Sequence, residues 1–392
     1  MSLHPNNQRL ISDLESMPLL DGRYQGMKCV NYDSATDKKR GCLSLVFSAF
    51  DRLNQKTVAL KFYDIDPQWM MDIYRQQAFQ REHEILKTLL TKKRCLQLAS
   101  GLSTYDLQVP LPDGTMLTLP CQYFAVEWLD KDIDDYFFFL GHGSFDPIQK
   151  LRIYNEIVLA VEALHRIEIY HRDIKADNFR EYQDAVERFV VAIDLGTAAR
   201  LSSPNLSSNY TQSVGAPVYA ASEARCGLAG HRSLAPYTDM YALGCLLYEL
   251  FNRDYFYREL TRCNRQYEAI LVAMSSFLHG ARNEDERLFK WKEAVARLGP
   301  SITNVSIDVA GNSVPQGIVD LLNEVVEGLT QISYSNRPSL AWVRTRIWSA
   351  IRMLENDKFY KQRLAAVKLR RTKREEKAKR AQARLISYLK GK

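Results

Sequence analysis

The sequence predicts an α+β chain folded as two lobes, on three observations. Stretches with alternating apolar residues cluster before residue 128. Helical periodicity dominates from residue 147 onward. One early helical pattern, at 69–91, sits among the strands. With 392 residues, 46% of them hydrophobic and 11% aromatic, the chain has the means to bury a large core, which excludes global disorder.

Taken in order, residues 1–20 read as a short leader, and MSLHPNNQRL lacks the basic-then-apolar pattern of a secretion signal. LSLVFSAF (43–50) and TVALKFYD (57–64) alternate like strands and are joined by the turn-forming DRLNQK. WMMDIYRQQAFQREHEILKTLLT (69–91) has helical spacing through Met71, Tyr74, Phe79, Ile85 and Leu86. LQVPLPDGTMLTL reads as a hairpin around Pro112, Asp113 and Gly114, and QYFAVEWL as a further buried strand. PIQKLRIYNEIVLAVEALHRI, DMYALGCLLYELF and QGIVDLLNEVVEGL then read as helices. Residues 252–315 are weakly patterned and read as a partly helical insertion. The expected divisions are a leader (1–20), a small lobe (21–128), a large lobe (129–350) and a tail (351–392).

Charge is unevenly placed. Residues 357–392 hold 14 Lys and Arg against three Asp and Glu, a net +11 within a total of +7, so the remaining body carries −4. A nucleic-acid footprint spread over the whole body is therefore not indicated. The seven cysteines (29, 42, 95, 121, 226, 245 and 263) form no CxxC pair. That excludes a disulfide framework or a zinc signature and fits a reducing, cytoplasmic setting. The apolar run FFFL (137–140) is far too short to span a membrane.

HRDIKADN (171–178) follows an apolar helical run with an acid, a lysine two residues later and an amide five residues later. Transfer of a phosphoryl group from ATP needs a cation on the triphosphate and an acid to anchor that cation. It also needs two oxygen ligands for Mg²⁺ and a carboxylate to orient the attacking hydroxyl. Residues of these types occur in one order: Lys61 ending VALK, Glu82 on the early helix, Asp173, Asn178, and Asp194 ending FVVAID. Singly, VALK, Glu82 and DLG (194–196) are weak signals. HRD-x-K-x-x-N is a strong one, and the ordered set is stronger still.

On these motifs residues 21–350 resemble the eukaryotic-like serine/threonine protein kinase family, whose signatures are well defined. The resemblance implies a bilobal protein-kinase-like fold with ATP and Mg²⁺ as cofactors. Lys61 is implied as the phosphate-binding lysine, with Glu82 its partner in preference to Glu84. Asp173 is implied as the base, Lys175 on the γ-phosphate, and Asn178 and Asp194 on magnesium. Val46, Ala59 and Val126 would line the adenine pocket, and the backbone of Glu127 and Leu129 would form the hinge. GAPVYAASE (215–223) is similar to the close of the activation segment. Asp239 would brace the catalytic loop, and Arg337 would pair with Glu223. Lys175 and residues 215–223 favour a protein substrate bearing Ser or Thr over a small-molecule substrate.

Several positions depart from the family pattern. The glycine-rich loop falls on Lys39, Gly41 and Ser44, so one glycine of three is kept. Lys39 offers charge in compensation. Arg180 stands where the family puts an apolar residue beneath the adenine. It would stack on the base, fill the pocket, or reflect a shifted register. Ala216 replaces a threonine that contacts the catalytic loop, and Ser222 replaces a proline. These departures keep open a pseudokinase that binds without turnover.

Arg172 and the hydroxyls Ser202, Ser203, Ser207, Ser208, Tyr210, Thr211 and Ser213 are compatible with autophosphorylation or with a merely serine-rich loop. The tail reads as a helix with a basic centre and apolar ends at Phe359, Leu364, Val367 and at Leu385, Ile386, Leu389. A solvated helix, an autoinhibitory segment, or contact with an anionic partner, nucleic acid or membrane surface, are its readings.

Overall fold

The computed structural model describes residues 3–39, 41, 44–70, 72–133, 136–137, 146–200, 214–252, 254–308 and 314–390. The small lobe runs α1 (Pro5–Ser16), β1 (Tyr24–Cys29), a short hairpin of β2 (Tyr32–Asp33) and β3 (Lys38–Lys39), β4 (Ser44–Asp51) and β5 (Lys56–Tyr63). It continues through a single turn α2 (Pro67–Met70), α3 (Ile73–Leu89), β6 (Leu98–Pro110) and β7 (Met116–Glu127). Five strands form one antiparallel sheet in the order β1-β4-β5-β7-β6.

The two-residue period of a strand divides β5 between two environments. Val58, Leu60 and Phe62 enter an outer cluster with Leu45, Phe47 and Tyr123. Ala59 and Tyr63 face the main core, with Phe79 and Leu86 of α3. Lys61 shares that inner face by the same alternation, and this is what aims its ammonium at α3.

The structure corrects three expectations for this lobe. Residues 5–16 are a helix of the lobe rather than a leader. Leu10 and Leu14 are fully buried in the outer cluster, and Asn7 is buried beside them. Asn7 Nδ2 donates to Asp64 Oδ1 at 2.6 Å, and its Oδ1 accepts from the Ile65 N–H at 3.2 Å. The long early helix begins at Ile73 rather than 69. Asp72 caps it by accepting from the N–H groups of Tyr74 and Arg75. The second hairpin arm and QYFAVE are one strand, β7. Pro120 is tolerated because β5 pairs only with Tyr123–Glu127, so the earlier half of β7 bonds to β6 alone.

The large lobe begins with β8 (Lys131–Asp132) and α4 (Pro147–His165), the latter opened by a capping box between Asp146 and Gln149. Then come β9 (Ile169–Tyr170), β10 (Phe179–Gln183), β11 (Arg188–Ala192), β12 (Ala199–Arg200) and α5 (Ala235–Asn252). The insertion supplies α6 (Phe256–Cys263), α7 (Tyr267–Phe277) and α8 (Glu284–Leu298). α9 (Gln316–Leu329), α10 (Leu340–Asn356) and α11 (Lys358–Lys390) complete the chain. The side chains of Leu385, Ile386 and Leu389, the expected second apolar end of the tail, lie outside those described. α5 is buried on every side from Tyr241 to Phe251, as a helix apolar around its whole circumference must be. The expected boundary at 350 falls inside α10, where Ile351 and Leu354 are fully buried, and the break comes instead at Asp357.

Replacing Asn7 with Leu keeps the branching of the side chain but leaves Asp64 short of a donor and the Ile65 N–H unpaired. Urea denaturation of this variant is expected to show a loss of about 1–3 kcal/mol.

Candidate active site

Residues far apart in sequence meet between the lobes. Lys61 Nζ lies 2.7 and 2.8 Å from the two oxygens of Glu82 and 3.2 Å from Asp194 Oδ1. The Leu195 N–H donates to Glu82 Oε1 at 3.1 Å. Helical spacing turns Glu82 inward and Glu84 outward, where Glu84 pairs with Lys87 at 2.8 Å. Burial opposes the charge on Lys61, but Glu82 and Asp194 outweigh it and raise its pKa above that of ordinary lysine. Lys61 in turn holds Asp194 below the usual carboxylate value, against burial.

The loop 171–178 is shaped by Asp239, fully buried on α5. Its carboxylate accepts the N–H of His171 at 2.8 Å and of Arg172 at 2.7 Å, and His165 Nε2 lies 2.8 Å away. Arg172 adopts the left-handed conformation, φ +66°. Three donors then fix the Asp173 carboxylate. Oδ1 accepts from the Ala216 N–H at 2.7 Å. Oδ2 accepts from Asn178 Nδ2 at 2.9 Å and lies 3.1 Å from Lys175 Nζ. Burial opposes the Lys175 charge, yet the neighbouring Asp173 carboxylate raises its pKa overall. The main chain of Ala216 therefore reaches the loop 171–178 where the family pattern uses a threonine. Gly215, at φ +78°, makes that approach possible, because a Cβ there would meet Arg172 O at 2.5 Å and Asp173 Oδ1 at 2.8 Å.

Two oxygens remain for a cation. Asn178 commits its Nδ2 to Asp173, leaving Oδ1, and Asp194 commits Oδ1 to Lys61, leaving Oδ2. The Ile193 N–H donates to Asn178 O at 2.8 Å, tying the two segments together. No group of three or more His, Cys, Asp or Glu able to hold a metal occurs among the described residues. A pair of protein oxygens fits Mg²⁺, which takes one or two protein ligands and completes its shell with phosphates and water.

The remaining expected residues fall in two places. Ala59 and Val126 stand opposite one another on β5 and β7, and Val46 is opposite Lys61 on β4. The Glu127 N–H bonds to Gln97 O at 2.9 Å, burial raises its carboxyl pKa, and Leu129 packs on the main core. Gly41 and Lys39 are elsewhere. They line a cavity of about 740 Å³ with Asn7, Asp64, Trp69 and Arg75, and none of Lys61, Asp173, Asn178 or Asp194 reaches it. The ammonium of Lys39 bonds to Asp64, so its charge is neutralised there rather than offered to phosphates. Ser44 opens β4, and its carbonyl accepts from Asn31 Nδ2 at 3.0 Å. Arg180 sits on β10 opposite Asp132 of β8. Its guanidinium is 2.5 Å from the Asp132 carboxylate and donates to the carbonyls of Asp177 and Phe179.

Arg337 clamps Glu223 through two hydrogen bonds of 2.5 and 2.9 Å. The Ser222 hydroxyl lies 3.1 Å from the Tyr267 hydroxyl, docking the insertion onto the segment's close. Ser202, Ser203, Ser207, Ser208, Tyr210, Thr211 and Ser213 lie outside the described residues. Sequence reasoning missed Asn31 and Asp132, whose roles follow from strand register and left no local signal. It also missed Glu249, which did leave one: an acid within the apolar run YALGCLLYELF. Glu249 accepts from the Tyr219 hydroxyl at 2.8 Å. Burial raises its pKa to about 8.

The family profile described as "Protein kinase domain" matches residues 40–348. The chain belongs to the protein kinase family. It is 36% identical over 239 residues to the serine/threonine-protein kinase PrkC of Bacillus subtilis (strain 168), covering 59% of this chain and 30% of that one. It is 34% identical over 108 residues to human 3-phosphoinositide-dependent protein kinase 1, covering 28% of this chain and 18% of that one. To the serine/threonine-protein kinase PkaA of Streptomyces coelicolor it is 32% identical over 109 residues, covering 28% and 19%. The matched stretches thus span under a third of these relatives' lengths.

Two predictions arise here. Between pH 4.5 and 8 the folded state keeps a proton on Glu249 that the unfolded state releases, so this group's contribution to stability falls as pH rises through that window. The slope is at most about 1.4 kcal/mol per pH unit. Denaturation of Glu249→Gln from pH 5 to 8 should give a flatter profile than wild type. Gly215→Ala should displace Asp173, lowering phosphotransfer about a hundredfold by analogy with a misplaced catalytic group, with a smaller effect on the melting temperature.

Proposed function

We propose that this chain is an ATP- and Mg²⁺-dependent protein kinase that transfers the γ-phosphate to serine and threonine hydroxyls. The carrying observation is the shared cation Lys61, held between Glu82 and Asp194. Beside this sits a carboxylate, Asp173, whose oxygens are fixed by Ala216, Asn178 and Lys175. Lys61 and Lys175 align and neutralise the phosphates. Asp173, unable to rotate, orients the incoming hydroxyl and receives its proton late. Asn178 and Asp194 would hold Mg²⁺, which supplies further charge neutralisation when bound. The bulk of the catalysis is positioning and electrostatics rather than covalent chemistry.

Lys175 and the segment 215–223, anchored by Arg337 and Asp173, support a protein substrate over a small molecule. Both PrkC and PkaA are named serine/threonine-protein kinases, which supports the same hydroxyl class. Autophosphorylation within 202–213, read by Arg172, belongs to this proposal. A reducing, cytoplasmic setting is supported by the free cysteines among the described residues. No helix among those residues is long and apolar enough to cross a membrane.

The Lys39–Asp64 pair favours a second reading, a kinase-like module that binds nucleotide without turnover. Transfer of radiolabel from ATP to generic protein substrates separates the two. Wild type should transfer label and lose it on chelation of Mg²⁺. Asp173→Asn should fall about 10²–10⁴-fold, and Lys61→Met should fall to background. A thermal shift with ATP and no transfer by wild type would establish the binding module instead. Phosphosites found in 202–213 in wild type and absent in Asp173→Asn would support autophosphorylation.

A further inference from the structure

The strongest charge on the molecule lies outside the cleft. α11 leaves the large lobe after Asp357 and runs for 33 residues, about 50 Å at the rise of an α-helix. Leu364 packs against the core, while every residue from Ala365 to Ala383 is exposed. Between Lys368 and Arg380 stand eight cations, Lys368, Arg370, Arg371, Lys373, Arg374, Lys377, Lys379 and Arg380, against Glu375 and Glu376. That is a net +6 over about 18 Å of helix.

We propose that α11 is a docking surface for the phosphate backbone of a nucleic acid. At about 100° per residue, the eight cations surround the helix, and no arc wider than about 100° lacks one. A helix that lies in a membrane interface needs an apolar face opposite its charges. In this stretch the apolar residues are Leu369 and Ala378, so there is no such face. Spacing also favours a polyanion. One net positive charge per roughly 3 Å of helix meets a line of phosphates that, in a duplex, carries one charge per about 1.7 Å. A basic helix exposed around its circumference is suited to a groove, where phosphates approach from more than one side. The body carries a net −4, so the excess positive charge of the chain lies in the tail. This proposal does not depend on phosphotransfer.

The test is fluorescence anisotropy of the full chain with a labelled 20-base-pair DNA duplex and a labelled single-stranded RNA, from 50 to 300 mM salt. Binding should weaken about a thousandfold between 50 and 200 mM salt for some six phosphates neutralised. The triple variant Arg370→Gln, Arg374→Gln, Lys377→Gln should reduce the log–log salt slope by about three. The corresponding triple Glu variant should abolish binding. Both should keep wild-type helicity by circular dichroism and wild-type label transfer; if the Glu variant loses helicity, the Gln variant alone decides. Absence of binding at 50 mM salt overturns the proposal, as does binding that the Gln variant leaves unchanged. Tighter binding to phosphatidylserine vesicles than to either nucleic acid overturns it in favour of a membrane surface.

Discussion

A single buried carboxylate sets the shape of the site. Asp239 has no exposure to solvent, and a carboxylate in such a place is tolerated only when donors satisfy its oxygens. Its donors are the backbone N–H groups of His171 and Arg172, with His165 alongside. Meeting that electrostatic demand forces the loop to turn sharply and holds Arg172 in the left-handed region. Asp173 emerges from that turn already aimed. The helix that carries Asp239 is buried on every side from Tyr241 to Phe251, so the reference point for the geometry of the site lies in the core of the large lobe.

The small lobe is tied to this frame by charge. Lys61 comes from a strand, Glu82 from a helix and Asp194 from the loop after β11. Their pairing and the Leu195 N–H on Glu82 join three segments at one point. A displacement of α3 would take the buried Glu82 carboxylate from Lys61 and leave the lysine with Asp194 alone, a costly outcome that couples lobe arrangement to the integrity of the cluster.

Where the chain departs from its family, neighbouring structure supplies equivalent support. A main-chain N–H of Ala216 holds Asp173 in place of a side chain. Ser222, in place of a proline, binds Tyr267 of the insertion and so joins the segment's close to α7. On either side of the glycine-poor stretch, Asn31 holds Ser44 and Val46, and the Lys39–Asp64–Asn7 chain reaches α1. The added segments, α1 and the insertion, are thus part of the same mechanical unit as the site.

The sequence by itself determined the two-lobed α+β class, most strands and helices, and the chemical types of Lys61, Glu82, Asp173, Asn178 and Asp194. These rest on local periodicity and on short motifs, which a linear reading captures. The preference for Glu82 over Glu84 came from the resemblance to the family's early helix. Only the tertiary structure decided that residues 5–16 are a structural helix, that Lys39 is neutralised by Asp64, and that Arg180 is held by Asp132. Each of these depends on which distant groups are adjacent and on which charges find partners. Those facts arise from strand register and packing between segments tens of residues apart, and periodicity within either segment carries no trace of them.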